Sequence, residues 1–341
     1  MRTQPDDIIR SLESHSGRLE KESIIQQAVE ENLEEFFDGV RLALDPLITF
    51  GVKKVPLSEN KNGQGLPWSA FLELTEKLRA RELTGHAARD AIELAMNVAT
   101  KEQWNDWYRR ILTKDLRCGV SEKTVNKVCK KMKKEAWGVP VFSCQLAHDA
   151  ANHEKKMTGT KQIEIKLDGV RTLTVTQGDR VEMFSRNGKQ FHNFGHIIEE
   201  IQTVLKDHPC PYPLVLDGEV MSNNFQDLMK QVHRKENIHA DDAVLYLFDT
   251  IPLGSFKNAG WDKPQSFRSQ ITKHWVEDHK DTLKHVRALD WETVDLDTEQ
   301  GQLRYVELNN SAVKGGYEGL LIKDPDAPYV CKRSHAWLKV K

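Results

Sequence analysis

Several features are scarce or missing in this 341-residue sequence. Its five cysteines (Cys118, Cys129, Cys144, Cys210 and Cys331) are scattered and odd in number, and no two form a CxxC pair. Neither a disulfide framework nor a cysteine-based zinc site has that spacing, so a reducing, cytosolic setting is expected. No run of about 18 apolar residues exists to span a membrane, and the N-terminal stretch is polar and charged. Membrane insertion and secretion are therefore not expected. Net charge is nearly absent too, with 49 Lys and Arg against 51 Asp and Glu, so the global balance favours no class of partner. Internal repeats and low-complexity tracts are also missing.

What is present divides into two textures. From about residue 19 to 135 the apolar spacing is helical. In "ESIIQQAVEENLEEFFDGVRLALD", Ile25, Val29, Leu33, Phe36 and Phe37 recur at intervals of three and four. "LPWSAFLELTEKLRAR", "TGHAARDAIELAMNVA" and "KEQWNDWYRRILTKD" behave alike, with Thr84 and Thr100 placed as N-caps. Gly138 and Pro140 then break the pattern within "WGVPVFSCQLA". Short β-like runs follow: "TKQIEIKLDGVRTLTVTQ", "RVEMFSR", "PLVLDGEVM", "AVLYLFDTI", "GLLIKD" and "AWLKVK". "QGDR" at 177–180 reads as a hairpin turn, and helices are expected near 196–207, 225–236 and 266–279. The expectation is an all-α domain over 1–140 followed by an α+β domain over 141–341 with mainly antiparallel sheets.

Residues 109–134, "RRILTKDLRCGVSEKTVNKVCKKMKK", hold ten Lys or Arg and two acidic residues. Such a run is either a solvated helical face or a surface that contacts phosphates without reading bases. Gly119 and Ser121 mark a turn with a helix N-terminus behind it, where backbone N–H groups can take a phosphate.

The stretch "IEIKLDGVR" (163–171) raises a sharper question. Alternation puts Ile163 and Ile165 on one strand face and Glu164 and Lys166 on the other, with the turn signal Asp168-Gly169 directly after the lysine. Alone, this is a solvated strand charge beside a bend. Downstream, however, come "SRNGK" with Arg186, "LDGEV" with Glu219, "LYLFDT" with Phe248 and Asp249, "YEGLLIKD" with Glu318 and Lys323, and "WLKVK" with Lys339 and Lys341. The last two lysines, two apart on a strand, share a face. Cations, carboxylates and an aromatic gathered on one sheet suit an anionic, planar ligand.

In order and spacing these segments resemble the nucleotidyltransferase motifs of ATP-dependent DNA ligases. "LTGHAARDAIELA" and "RILTKDLRCGVSEKTVNKV" resemble the N-terminal DNA-binding domain of T-even phage ligases, so the resemblance covers nearly the whole chain. It implies an adenylation (nucleotidyltransferase, ATP-grasp-like) fold for the second half. It also implies ATP and Mg²⁺ as cofactors, with Mn²⁺ as a substitute, and nicked duplex DNA as the partner of a cytoplasmic monomer. Lys166 would attack the α-phosphate of ATP, expel pyrophosphate and carry AMP. The AMP would pass to a 5′-phosphate at a nick, and the 3′-hydroxyl would displace it. Neighbouring Arg171, Lys339 and Lys341 and a bound metal would disfavour the ammonium form of Lys166 and hold the phosphate.

By the same resemblance, Glu164 and Phe248 lie at the adenine, and Arg171 and Glu219 on the ribose side. Arg186, Lys323, Arg333, Lys339 and Lys341 are further nucleotide contacts. Glu219 and Glu318 are the metal-facing carboxylates, and Gly169 permits a tight bend. Asp168 and Asp217 read as turn stabilisers. The expected DNA contacts are Lys114, Arg117, Lys123 and Lys127 in the basic stretch, together with Arg186.

Family ligases continue into an OB-fold domain, for which the 341 residues have no unassigned strands, and weak self-adenylation is the expectation without one. Two other readings stay open at this stage. One is an RNA ligase or capping-type nucleotidyltransferase, and the other is a DNA-binding protein with an inactive nucleotidyltransferase fold.

Overall fold

A computed structural model describes residues 3–52, 54–222 and 242–341. The chain forms two compact units, Met1–Val141 and Phe142–Lys341. No helix among the described residues is long and apolar enough to cross a membrane.

The described regular elements of the first unit are helical. The stripe over 22–45 is carried by two helices, Arg18–Glu30 and Glu34–Leu44, because Asn32 turns the chain with φ 55° between them. Helices Trp68–Arg79 and Gly85–Val98 follow. The helical run Lys101–Leu112 has a π-helical turn at Trp104–Tyr108, and Glu122–Lys131 is the last long helix. Thr100 caps as expected, its hydroxyl accepting the Gln103 N–H, whereas Thr84 stands at the cap position without a side-chain cap bond.

The core of this unit is aromatic. Tyr108 stacks on Phe71 at 4.1 Å, and Trp107 lies parallel to Phe36 at 5.8 Å. Trp104 Nε1 donates to the Pro56 carbonyl and the Tyr108 hydroxyl to that of Leu66, whereas the buried Trp107 Nε1 has no hydrogen-bond partner among the described residues. Gly39 exists for this packing, since a Cβ there would stand 2.1 Å from the Trp107 ring.

The second unit carries every strand of the described residues. In chain order these are β1 (Leu146–Asp149), β2 (Thr160–Lys166), β3 (Val170–Gln177), β4 (Arg180–Ser185), β5 (Gln190–Phe191), β6 (Leu214–Met221) and β7 (Val244–Pro252). They continue as β8 (Gly260–Trp261), β9 (Val286–Ala288), β10 (Trp291–Asp295), β11 (Gly319–Lys323), β12 (Tyr329–Val330) and β13 (Arg333–Val340). One sheet has the order β1-β13-β11-β2-β10, another β5-β4-β3-β6-β7-β9, and β12 pairs with β8. All pairs are antiparallel except β1 with β13 and β7 with β9. The mainly antiparallel α+β expectation thus holds. The hairpin at 177–180 forms as expected, Gln177 pairing Arg180 across Gly178 at φ 61°.

Helices Gly195–Asp207 and Gln265–Asp278 pack on β4 and β7, and helix Glu299–Lys314 covers β10 and β11. The expected helix near 225–236 lies outside the described residues. Beneath the last of these helices, Ile163, Leu320, Ile322 and Leu338 are buried together. That burial fixes which face of the five-stranded sheet turns the other way.

Candidate active site

The face opposite Ile163 is where the charges stand. In β2, β11 and β13 the register sets Glu164 opposite Leu321 and Leu321 opposite Lys339, so these three form one row. Lys166 lies opposite Gly319 one step along, and Lys341 is two residues beyond Lys339. On the six-stranded sheet, Arg171 of β3 lies opposite Glu219 of β6. The β6–β7 register slips from Asp217 opposite Asp249 to Gly218 opposite Leu247, leaving Phe248 as the extra residue of a bulge.

Together these side chains line one cavity of about 340 Å³, a size suited to a small ligand. Its walls include Glu164, Lys166, Arg171, Arg186, Glu219, Phe248, Glu318, Arg333, Trp337, Lys339 and Lys341. Thus all but one of the nucleotide-side and metal-side residues expected from the sequence meet at one place.

Lys166 is ion-paired with Glu318, whose other carboxylate oxygen takes Lys341. Burial is the largest influence on the Lys166 pKa and moves it down. Glu219 and Asp168 pull it back, while Lys341 and Lys339 press it further down. Arg171 does not act as expected here. Its guanidinium forms a two-pronged pair with the fully buried Asp217, Nε to Oδ1 at 2.6 Å and the second prong to Oδ2 at 2.7 Å. Its charge is already matched, and Asp217 also accepts from the Tyr329 hydroxyl at 2.7 Å. Asp217 is therefore no turn stabiliser but the anchor of Arg171.

Glu219 is pushed from the ordinary 4.5 up to about 7, chiefly by burial, which Arg171, Lys166 and the Gly169 N–H only partly offset. Gly169 is required for room and not for a left-handed bend. It is absent from the positive-φ positions, but a Cβ there would lie 2.3 Å from the Val220 carbonyl oxygen.

Glu164 lines the cavity, but it is 4% exposed and pairs with Lys323 at 2.6 Å. Two expectations need correction. Lys323 itself is fully buried behind Phe248 and Trp337, its ammonium 4.7 Å and 4.4 Å from their ring centroids. It holds Glu164 and the rings and is not among the cavity's walls. Lys114 is turned inward, donating to the Leu42 and Asp45 carbonyls at 2.7 Å each, and burial lowers its pKa to about 7. An ammonium spent on two backbone carbonyls is a structural tie and not a phosphate contact. Arg117, Lys123 and Lys127 of the same stretch are exposed, Lys127 in a surface pair with Glu22.

Phe248 also differs from a bare stacking platform, with the Arg171 guanidinium 4.8 Å and the Lys323 ammonium 4.7 Å from its centroid. Arg186 sits exposed in the turn after β4, and Arg333 is tied to the Ala147 carbonyl at the cavity mouth.

Of the three carboxylates on these walls, Glu164 is held by Lys323, while Glu219 and Glu318 are hard oxygen donors of the kind Mg²⁺ takes. The raised pKa of Glu219 marks a buried carboxylate short of positive charge, so the residues present fit a divalent cation.

The family model described as ATP dependent DNA ligase domain matches residues 143–341. The chain is 28% identical over 197 residues to a DNA ligase of Natronomonas pharaonis, covering 54% of this chain and 32% of that protein. It is 27% identical over 239 residues to a DNA ligase of Archaeoglobus fulgidus, covering 65% and 39%. The chain thus spans about a third of the length of the curated relatives it matches. A solved structure named Pmar-Lig_PreS3 is 62% identical, with a TM-score of 0.64, covering 99% of this chain and 78% of that one.

Proposed function

This chain belongs to the family of ATP dependent DNA ligase domains, and we propose from that premise that it seals nicks in duplex DNA by way of a lysine–AMP intermediate. The observation that carries the reading is the single cavity in which Lys166, its counter-ion Glu318 and the lysine pair 339 and 341 converge. In the first step the Lys166 nitrogen bonds to the α-phosphorus of ATP and the bond to pyrophosphate breaks, one proton passing to solvent, after the ammonium has given up a first proton. Glu318, already paired with that ammonium, is placed to receive it. Lys339 and Lys341 then face the charge that develops on the phosphate. Glu164, braced by Lys323, and Phe248 bound the base side, and Arg171, fixed by Asp217, bounds the sugar.

Glu219 and Glu318 would hold the cation, with Mg²⁺ proposed and Mn²⁺ as a substitute. When bound, it supplies positive charge to the phosphate oxygens. The helical unit is proposed to be the T-even-type DNA-binding part, gripping backbone phosphates through Arg117, Lys123 and Lys127. The Lys127–Glu22 pair is a surface pair worth little, which a phosphate can replace.

The test is incubation with α-labelled ATP and Mg²⁺, followed by a chase with nicked duplex DNA or nicked RNA. Label is expected to enter the protein and to leave it with DNA alone. Release by RNA and not by DNA would transfer the reading to an RNA ligase, and no labelling at all would leave a dead fold.

A pH dependence follows from Glu219. A carboxyl whose pKa is raised from 4.5 to about 7 favours the neutral form in the fold. Its contribution to stability is therefore full below the lower value and lost as pH climbs through the upper one. Glu219→Gln, which cannot ionise, is expected to gain on the original protein in urea midpoint as pH rises from about 5 to about 8 without nucleotide or metal. A difference that stays flat over that window would refute the burial argument.

A further inference from the structure

Outside the nucleotide cavity three histidines meet, and nothing in the reaction above uses them. The rings of His148 and His335 stack with centroids 4.3 Å apart and 9° between their planes. His153 meets both edge-on, at 4.6 Å and 4.4 Å. The backbone brings this about. Along the parallel pairing of β1 with β13, Ala147 lies opposite Ser334 but His148 lies opposite Leu338. Residues 335–337 of β13 therefore have no partner in β1, and His335 is the first residue of that bulge. His153 arrives from the short turns after β1, its N–H donating to the Ala150 carbonyl at 2.9 Å.

One nitrogen from each ring lies within 4.8 Å of the others. Three imidazoles on one ion at about 2.0–2.1 Å have their nitrogens roughly 3.4 Å apart in tetrahedral geometry. Closing the set thus takes ring shifts on the order of an ångström. Room for that exists, because His148 and His153 are half-buried and His335 is exposed. No hydrogen bond among the described residues holds any of the three rings, so their nitrogens are free to turn to a ligand. Neutral imidazoles with no oxygen donors among them select d-block ions over Mg²⁺.

We propose that His148, His153 and His335 form a binding site for a divalent d-block ion of the zinc class, with three imidazole ligands and a further position open to water. The site goes beyond the ligase reading and does not depend on it. An ion there would clip the edge strand β1 and the turns after it onto β13, next to Ala147 and Arg333 at the cavity mouth.

The test uses the full chain, stripped with chelator and titrated with Co²⁺ in the presence of excess Mg²⁺, read by visible absorption and calorimetry. One equivalent of Co²⁺ is expected to bind with ligand-field bands of nitrogen coordination, and Zn²⁺ is expected to displace it. His335→Ala, at an exposed position, and His153→Ala are each expected to weaken binding by more than about tenfold. Glu318→Gln is expected to leave it unchanged. Absence of saturable binding, or binding indifferent to His335→Ala, would overturn the proposal. So would loss of binding in Glu318→Gln, which would put the ion in the nucleotide cavity instead.

Discussion

Lys166→Arg is expected to abolish covalent labelling by α-labelled ATP, a loss on the order of a millionfold, as when a covalent nucleophile is removed elsewhere. The arginine substitution is more telling than alanine. It keeps a cation opposite Glu318 and beside Lys341, so the counter-charge of the Glu318 carboxylate and the packing at the end of β2 are retained. What it removes is the ability to lose a proton, since a guanidinium stays charged at any working pH. Burial and the neighbouring Lys341 and Lys339 move Lys166 towards the amine, and none of these influences brings an arginine there. Equilibrium binding of ATP should persist in this variant while protein-bound label disappears on a denaturing gel. Label surviving in Lys166→Arg would show that another nucleophile carries the AMP.

The second large effect is on stability. Arg268→Ala is expected to cost about 3–5 kcal/mol, read as a fall in the urea midpoint, because it strands a buried charge. Arg268 and Asp249 are both fully buried, the guanidinium reaching Oδ1 at 2.8 Å and Oδ2 at 3.1 Å. Nη1 donates to the Lys263 and Ala327 carbonyls, and Nη2, besides reaching Asp249, donates to Gln265 Oε1. Gln265 in turn accepts from Trp337 Nε1 at 2.8 Å, and Trp337 is a cavity wall. Removing both charges together, as Arg268→Met with Asp249→Leu, should recover much of the loss, since no ion is then left unpaired. A single replacement costing less than about 1 kcal/mol would mean that water or a neighbour takes over the orphaned carboxylate.

The strands and the hairpin at 177–180 were legible because each rests on local spacing, and the convergence around Lys166 because its segments resemble the motifs of a known family. Alternation along 163–166 assigns faces correctly, with Ile163 under the helix and Glu164 and Lys166 on the cavity side. It says nothing about what covers that second face. Glu164 was expected at the adenine, and only the fold shows that Lys323, far away in sequence, pairs with it. Lys323 and Lys114 were misjudged alike, because a lysine's letter is the same whether its ammonium reaches solvent or two carbonyls. Asp217 looked like a turn residue in "LDGEV", and only strand pairing reveals that Arg171 and Tyr329 bind it. Phe248 was singled out, but the bulge that aims it is a one-residue slip that no periodicity records. The histidine trio could have been noticed only by knowing that β1 runs parallel to β13.

Glu318 serves two lysines at once, and that shared carboxylate has a consequence for the resting protein. An amine held as an ion-paired ammonium is inert to the small electrophiles that modify exposed lysines. On the proposed reading, an arriving nucleotide phosphate takes over Lys341 and leaves Glu318 to accept the Lys166 proton, so the lone pair would be freed only when its proper electrophile is in contact with it. If Lys166 is the nucleophile proposed above, the same carboxylate would act as a protecting group, keeping it intact between turnovers and tying its reactivity to occupancy of the cavity.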